Sequence, residues 1–283
     1  MDLRPQANSP VPDSLPHDLT SNPDHTIIFF DWDDTLMASN VLCMNGVGLQ
    51  TPLVPKHIIA DFISLQDRVI SLLKCAARFT KNVFIVTNGE YGWVELSCQK
   101  FMPRVYDYLK FFPVISARTT YQNTFPDKPN MWKKTTFIER INFCFPPSTP
   151  HQPNTRYNPP IGPPDLNAIS LGDSESERDA LISLQSVCHT NALLKSIKFV
   201  ERPSTEQLKR QLEMVESNFP FIVRHNAPLD LMLQISTCQQ PPEEEGMLRD
   251  EEEPNMRQNT TQVGGDKEYR SLDGRINGPP RPN

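Results

Sequence analysis

Residues 27–36 read Ile-Ile-Phe-Phe-Asp-Trp-Asp-Asp-Thr-Leu (IIFFDWDDTL). An apolar run of strand length leads straight into three carboxylates, Asp31, Asp33 and Asp34, and then Thr35. Like charges packed this closely repel, and burial at a strand end strengthens the repulsion. The stretch therefore requires a compensating positive charge, or a proton on one of the acids.

Working outward, four more apolar runs have strand length: Val83–Val86, Pro113–Ile115, Ala168–Leu171 and Ser196–Val200. Most are β-branched or aromatic, and several are continuous rather than alternating, as strands covered on both faces are. Helical spacing fills the gaps. Pro55 opens a segment in which Ile58, Ile59, Phe62, Ile63, Val69, Ile70 and Leu73 share a face. Helical patterns also cover 90–101, 132–143, 175–184 and 205–215, the first of these four being followed by Pro103 and the second carrying Trp132, Thr136, Phe137 and Ile141. This alternation predicts an α/β fold: a Rossmann-like three-layer sandwich with a mostly parallel central sheet of about five strands.

The rest of the chain sets the limits of that domain. The 283 residues contain 28 Pro against 11 Gly, and only 37% are hydrophobic. Residues 1–24 are polar and Pro-rich, and 237–283 carry acidic runs such as Glu243–Glu245, so both are predicted to be disordered around one domain at 25–236. The opening segment has neither the apolar core of a signal peptide nor the basic character of a transit peptide, which predicts an intracellular protein, cytoplasmic or nuclear. The stretch 145–164 holds eight prolines and is predicted to be an extended surface loop. A net charge of −6 without a long basic stretch argues against nucleic-acid binding, and no apolar run has membrane-spanning length. Six scattered cysteines form no C-x-x-C pair, which argues for reduced thiols and against a zinc site.

In a parallel sheet the residues that end the strands gather at one edge. Here those are Asp31-Trp32-Asp33-Asp34-Thr35, Thr87-Asn88-Gly89 and Gly172-Asp173-Ser174, with Glu175, Glu177 and Asp179 close behind. Lys128, Lys133 and Lys134 lie between the third and fourth strands. Clustered carboxylates call for a divalent cation, and oxygen ligands suit Mg²⁺, with Asp31 and Asp173 as its ligands. Such an ion beside a lysine makes a site for a phosphoryl dianion. Asp31 is then positioned as nucleophile and metal ligand, and Asp33 as the acid/base at the leaving oxygen. Asp34 is read as a structural residue where the chain turns.

These residues also carry a resemblance. FFDWDDT, VFIVTNG, WKKTTF and ISLGDSESERDA, in this order over about 25–200, resemble the motifs of the haloacid dehalogenase-like (HAD) hydrolase superfamily. The resemblance implies that Asp31 is the nucleophile, Thr87 a phosphoryl binder, Lys133 the charge neutraliser and Asp173 a metal ligand. It implies that Asp33 serves as acid/base and lends a backbone carbonyl to the metal. Lys134 and Lys128 remain alternatives for the lysine, and Glu177 either holds a metal-bound water or serves helix-start electrostatics. That family places its substrate-selecting caps between the motifs. Here the first gap reads as a glycine-containing loop and one long helix, and the second as one helix, one short strand and little else. The resemblance therefore implies an open, capless site and a phosphorylated substrate, a phosphoprotein included, with Trp32, Tyr91 and Trp93 near it. The implied activity is Mg²⁺-dependent hydrolysis of a phosphate monoester through an aspartyl-phosphate. The alternative is a catalytically silent phospho-binding or scaffolding domain.

Overall fold

The computed structural model describes residues 23–146 and 160–234. Six strands form one sheet: β1 (Thr26–Phe30), β2 (Val83–Thr87), β3 (Val114–Ser116), β4 (Asn167–Gly172), β5 (Leu193–Lys198) and β6 (Leu229–Met232). All pairs are parallel, in the order β3-β2-β1-β4-β5-β6. The chain therefore winds outward in both directions from β1, and the crevice at such a reversal is where open α/β sheets bind ligands. Here the reversal lies between β1 and β4, the two strands that end in Asp31 and Asp173.

Each strand of the centre is buried along its length because helices cover both faces. Ile28 and Phe30 of β1 face a core shared with α2 (Lys56–Ala77), α3 (Trp93–Phe101), α4 (Pro103–Leu109) and α8 (Thr205–Arg224). Ile27 and Phe29 face the other core, shared with α5 (Ala117–Tyr121), α6 (Pro129–Cys144) and α7 (Glu175–Ile182). Two successive residues thus serve two cores, which explains a continuous apolar run in place of an alternating one. The Phe29 and Phe137 rings stack with centroids 4.0 Å apart, pinning α6 against β1.

The structure corrects the sequence reading in three places. A sixth strand, β6, extends the sheet; its sequence LDLM is four residues long and lies at an edge, without the apolar run of a central strand. The gaps between motifs hold short helices beyond those expected: α1 (Ser39–Met44) in the first, and α4 and α5 in the second. Pro103 follows the end of α3 at Phe101, as read, and also occupies the first turn of α4, where its missing N–H costs nothing. On α2, Ile59 and Ile63 are exposed, so the helix buries a narrower stripe than its apolar spacing suggests.

The expectations for residues 1–22 and 235–283, and for 147–159 of the Pro-rich stretch, lie outside the described residues. In the described part of that stretch, Ile161 forms an isolated bridge with Cys188. Five of the cysteines, Cys43, Cys75, Cys98, Cys144 and Cys188, are free thiols, and Cys238 lies outside the described residues. Among the described residues no helix is long and apolar enough to cross a membrane.

Candidate active site

Asp31 leaves β1 with its backbone N–H donating to the Leu171 carbonyl at 2.9 Å, so the first acid is locked to the neighbouring strand β4. The chain then turns on the Trp32 carbonyl, which accepts from the N–H groups of Leu36 and Met37, each at 2.9 Å. Trp32 points into the core and donates to Ser97 Oγ at 3.1 Å. Asp34 takes the left-handed backbone conformation (φ 52°) and accepts from the Asn40 N–H at 2.9 Å. It holds the first turn of α1, the structural role expected of it.

Asp31, Asp173 and Glu177 converge, each offering a carboxylate oxygen within 4.8 Å of the others. Lys133 reaches into this group from α6. Its Nζ donates to Asp31 Oδ1 at 2.6 Å and also to Glu177 Oε1. Phe137 lies one helical turn after Lys133, so the ring stack on β1 orients the lysine toward the strand ends. Lys133 is 2% exposed, whereas Lys128 is exposed and Lys134 half-buried, and neither makes an ion pair among the described residues. Of the three lysines, Lys133 is the one brought to the acids.

Glu177 combines two jobs. Its carboxylate accepts from the Ser174 N–H at 3.1 Å and hydroxyl at 2.6 Å, while the Ser174 hydroxyl accepts from the Ser176 N–H, a reciprocal cap on α7. The same carboxylate pairs with Lys133 inside the acid cluster. Gly172 makes room for it, since a Cβ there would sit 2.3 Å from Glu177 Cγ. Lys198 donates to the Asp173 carbonyl at 2.9 Å and fixes the turn that presents Asp173.

Asp33 faces away from this cluster. It accepts from Ser39 Oγ at 2.5 Å, from Trp93 Nε1 at 3.0 and 3.2 Å, and from Thr87 Oγ1 at a long 3.4 Å. Thr87 is buried at the end of β2, and its Oγ1 accepts from the Gly89 N–H at 2.8 Å. Gly89 has no room for a side chain, because a Cβ would meet Trp93 Cδ1 at 2.5 Å. Asn88 Oδ1 and Thr35 Oγ1 are buried close by in sequence without a hydrogen-bond partner.

The electrostatics answer the question raised by IIFFDWDDTL. Burial pushes the Asp31 carboxyl well up; Lys133 opposes that shift, and Glu177 and Asp33 add to it. Burial and the Glu177 charge push Asp173 up to about 7. Burial also opposes charge on Glu177 and Lys133, but the ion pairs between them prevail. Glu177 is held below the usual carboxylate range, and Lys133 stays protonated far above neutrality. The lysine compensates one carboxylate, so ionising all three acids leaves two negative charges in a mostly buried space. These carboxylates can hold a metal ion, and a dication matches that charge.

Of the residues expected at the site, Asp31, Lys133 and Asp173 come together, and Asp33 and Thr87 form an adjoining pair. Glu177, left open between two roles, lies inside the cluster. Sequence reasoning missed Lys198 and the hydrogen bond from Trp93. A lysine within a strand and a tryptophan opening a helix carry no local signal of what they will touch. Tyr91 is 84% exposed beside this site. Comparison with known proteins found no family model, no curated protein and no solved structure that matches the chain.

Proposed function

We propose that this protein is a Mg²⁺-dependent phosphatase of the HAD type, hydrolysing a phosphate monoester through an aspartyl-phosphate on Asp31. The observation that carries this reading is the Asp31–Lys133 contact at 2.6 Å within the Asp31–Asp173–Glu177 group, with Asp33 held apart from it. One acid thereby lies against an ammonium that can meet a phosphoryl oxygen, and a second, held by Ser39 and Trp93 outside the cluster, is placed for proton transfer.

Asp31 and Asp173 would hold the Mg²⁺, with Glu177 of the same acid group and the Asp33 backbone carbonyl as further oxygen donors. The donors are all oxygen, and the net charge of the ionised group is equal and opposite to that of the ion. When bound, Mg²⁺ neutralises phosphoryl oxygens and favours ionised Asp31.

The chain's own residues then divide the reaction. Lys133 and the Thr87 hydroxyl bind phosphoryl oxygens. The Asp31 carboxylate attacks phosphorus, the bond to the leaving oxygen breaks, and Asp33 in its acid form gives that oxygen a proton. Asp33 next takes a proton from water, which attacks the phosphorus of the aspartyl-phosphate and releases phosphate and Asp31. Ser39 and Trp93 orient the Asp33 carboxyl for both transfers.

The test is phosphate release from a generic aryl phosphate and a phosphopeptide panel, with Mg²⁺ and with EDTA, for wild type, Asp31→Asn and Asp33→Asn. Turnover that needs Mg²⁺ and is lost in both variants is expected. Turnover surviving Asp31→Asn would remove the nucleophile. A folded wild type without turnover on any member of the panel would favour a phospho-binding domain.

A further inference from the structure

Asp33 also borders a cleft of about 410 Å³, whose walls carry Leu49, Tyr91, Trp93 and Leu96, with Glu90 at its rim. Tyr91 and Leu96 are 84% and 53% exposed, so large apolar surface faces solvent beside the acid group. Both walls are fixed. Lys100 Nζ donates to the carbonyls of Gly48, Leu49 and Thr51 at 2.8, 2.8 and 2.6 Å, clamping the loop that carries Leu49. Opposite, Ser116 Oγ donates to the Gly89 carbonyl at 2.6 Å, and the Tyr91 N–H donates to Thr119 Oγ1 at 2.9 Å. A cleft held open in this way binds without first paying to order its walls.

The charge of the cleft narrows the choice of occupant. Glu90 is paired at the rim with Arg118 at 3.7 Å, so the unpaired charge on the lining is the Asp33 carboxylate, and no lysine, arginine or histidine is among the described residues that line the cleft. A leaving group carrying a second phosphate or a carboxylate is repelled there, whereas a neutral ring gains contact with two aromatic side chains.

We infer that this cleft receives the aromatic ring of an aryl phosphate, an inference that rests on the phosphatase reading. The ester oxygen lies at Asp33 and the ring among Leu49, Tyr91, Trp93 and Leu96. As the bond from Asp31 to phosphorus forms, the phosphorus–aryl oxygen bond breaks and the aryl oxygen takes the Asp33 proton, releasing a phenol. A small aryl ester and a phosphotyrosyl side chain share this chemistry.

The experiment is calorimetric titration of the Mg²⁺-loaded full chain with non-hydrolysable phosphonates of equal charge. Phenylphosphonate is expected to bind about 10- to 100-fold tighter than methylphosphonate, the gain from burying one ring. Leu96→Lys and Tyr91→Ala alter exposed positions, so their thermal transitions should match wild type while the phenyl preference collapses. A phosphonomethyl-phenylalanine peptide that binds tighter than phenylphosphonate assigns a polypeptide source, and equal affinity assigns a small aryl ester. Equal binding of phenyl- and methylphosphonate would overturn the cleft assignment and leave the phosphoryl site standing. An n-hexylphosphonate as tight as the phenyl compound would overturn the aromatic assignment. Failure of every phosphonate to bind would remove the phosphoryl site and the cleft together.

Discussion

Lys133 and Lys195 are both buried, at 2% and 0% exposure, yet their surroundings differ in kind. Lys195 lies on β5 and donates to the Ile222 and Val223 carbonyls, each at 2.9 Å, in the last turn of α8. Those carbonyls have no helical partner of their own, so the lysine completes a helix end. With no carboxylate beside it, burial lowers its pKa to about 8. Lys133 sits between two carboxylates that hold its charge against the same burial, and a third acid adjoins them. A lysine on helix carbonyls closes a structural account within the protein. A lysine among an excess of carboxylates leaves negative charge over, which makes the edge between β1 and β4 a place that could hold a metal ion.

The sharpest way to break this contrast is to remove each ammonium in turn. Lys133→Met strands two buried carboxylates, so urea denaturation of the metal-free protein should show a loss of about 3 kcal/mol. Phosphate release with Mg²⁺ should fall about 1,000-fold. Lys195→Met should leave turnover intact and stability at pH 7 within about 1 kcal/mol of wild type. The Lys195 folded pKa is lowered to about 8 from 10.5, so the cost of its charge applies in full below pH 8 and vanishes above 10.5. Wild type should therefore gain on Lys195→Met by on the order of 2 kcal/mol as pH rises through that window. Equal effects of the two substitutions on turnover would erase the distinction.

Asp173 sharpens the site half of the comparison through pH. Its folded pKa is raised to about 7 from 3.8, so the stability it allows is complete below pH 3.8 and lost as pH rises through 7. Metal-free wild type should be less stable at pH 8 than at pH 5, by on the order of 2 kcal/mol more than Asp173→Asn is. Added Mg²⁺ should reverse the slope in wild type alone. Denaturation midpoints at the two pH values, with and without Mg²⁺, measure this.

Smaller effects are expected from residues that only position the acids. Gly172→Ala places a Cβ against Glu177 and should destabilise by about 1–3 kcal/mol while weakening Mg²⁺ binding measured by calorimetry. Trp93→Phe keeps a ring but removes the N–H that Asp33 accepts. It should lower kcat by roughly 10-fold with little change in stability or KM. An unchanged kcat would make Trp93 a packing residue only.

Much of the fold was legible because central strands buried on both faces leave continuous apolar runs, as Ile27–Phe30 and Val83–Val86 do. β6 was not, because an edge strand of four residues with a half-exposed aspartate looks like a loop. α1, α4 and α5 were missed for a related reason: helices of five to seven residues are too short to show a period. Within the site, Asp31, Asp33 and Asp173 were legible because charge at the end of a buried strand is costly and therefore conspicuous. The Ser39, Trp93 and Lys198 contacts were not, since each residue type is ordinary where it stands in the chain.

By itself, the sequence determined the alternating α/β order and the collection of acids, a threonine and lysines at one edge of a parallel sheet. Both follow from local patterns: strand burial sets the apolar runs, and parallel pairing puts every strand's last residues on the same side. Only the tertiary structure decided that Lys133, and not Lys128 or Lys134, meets Asp31 across 102 residues of chain. It also decided that Glu177 joins Lys133 across 44 residues, and that Asp33 turns from that cluster toward Trp93. Contacts over such separations depend on how α6 and α7 dock on the sheet. That docking is set by packing such as the Phe29–Phe137 stack, which no local pattern encodes.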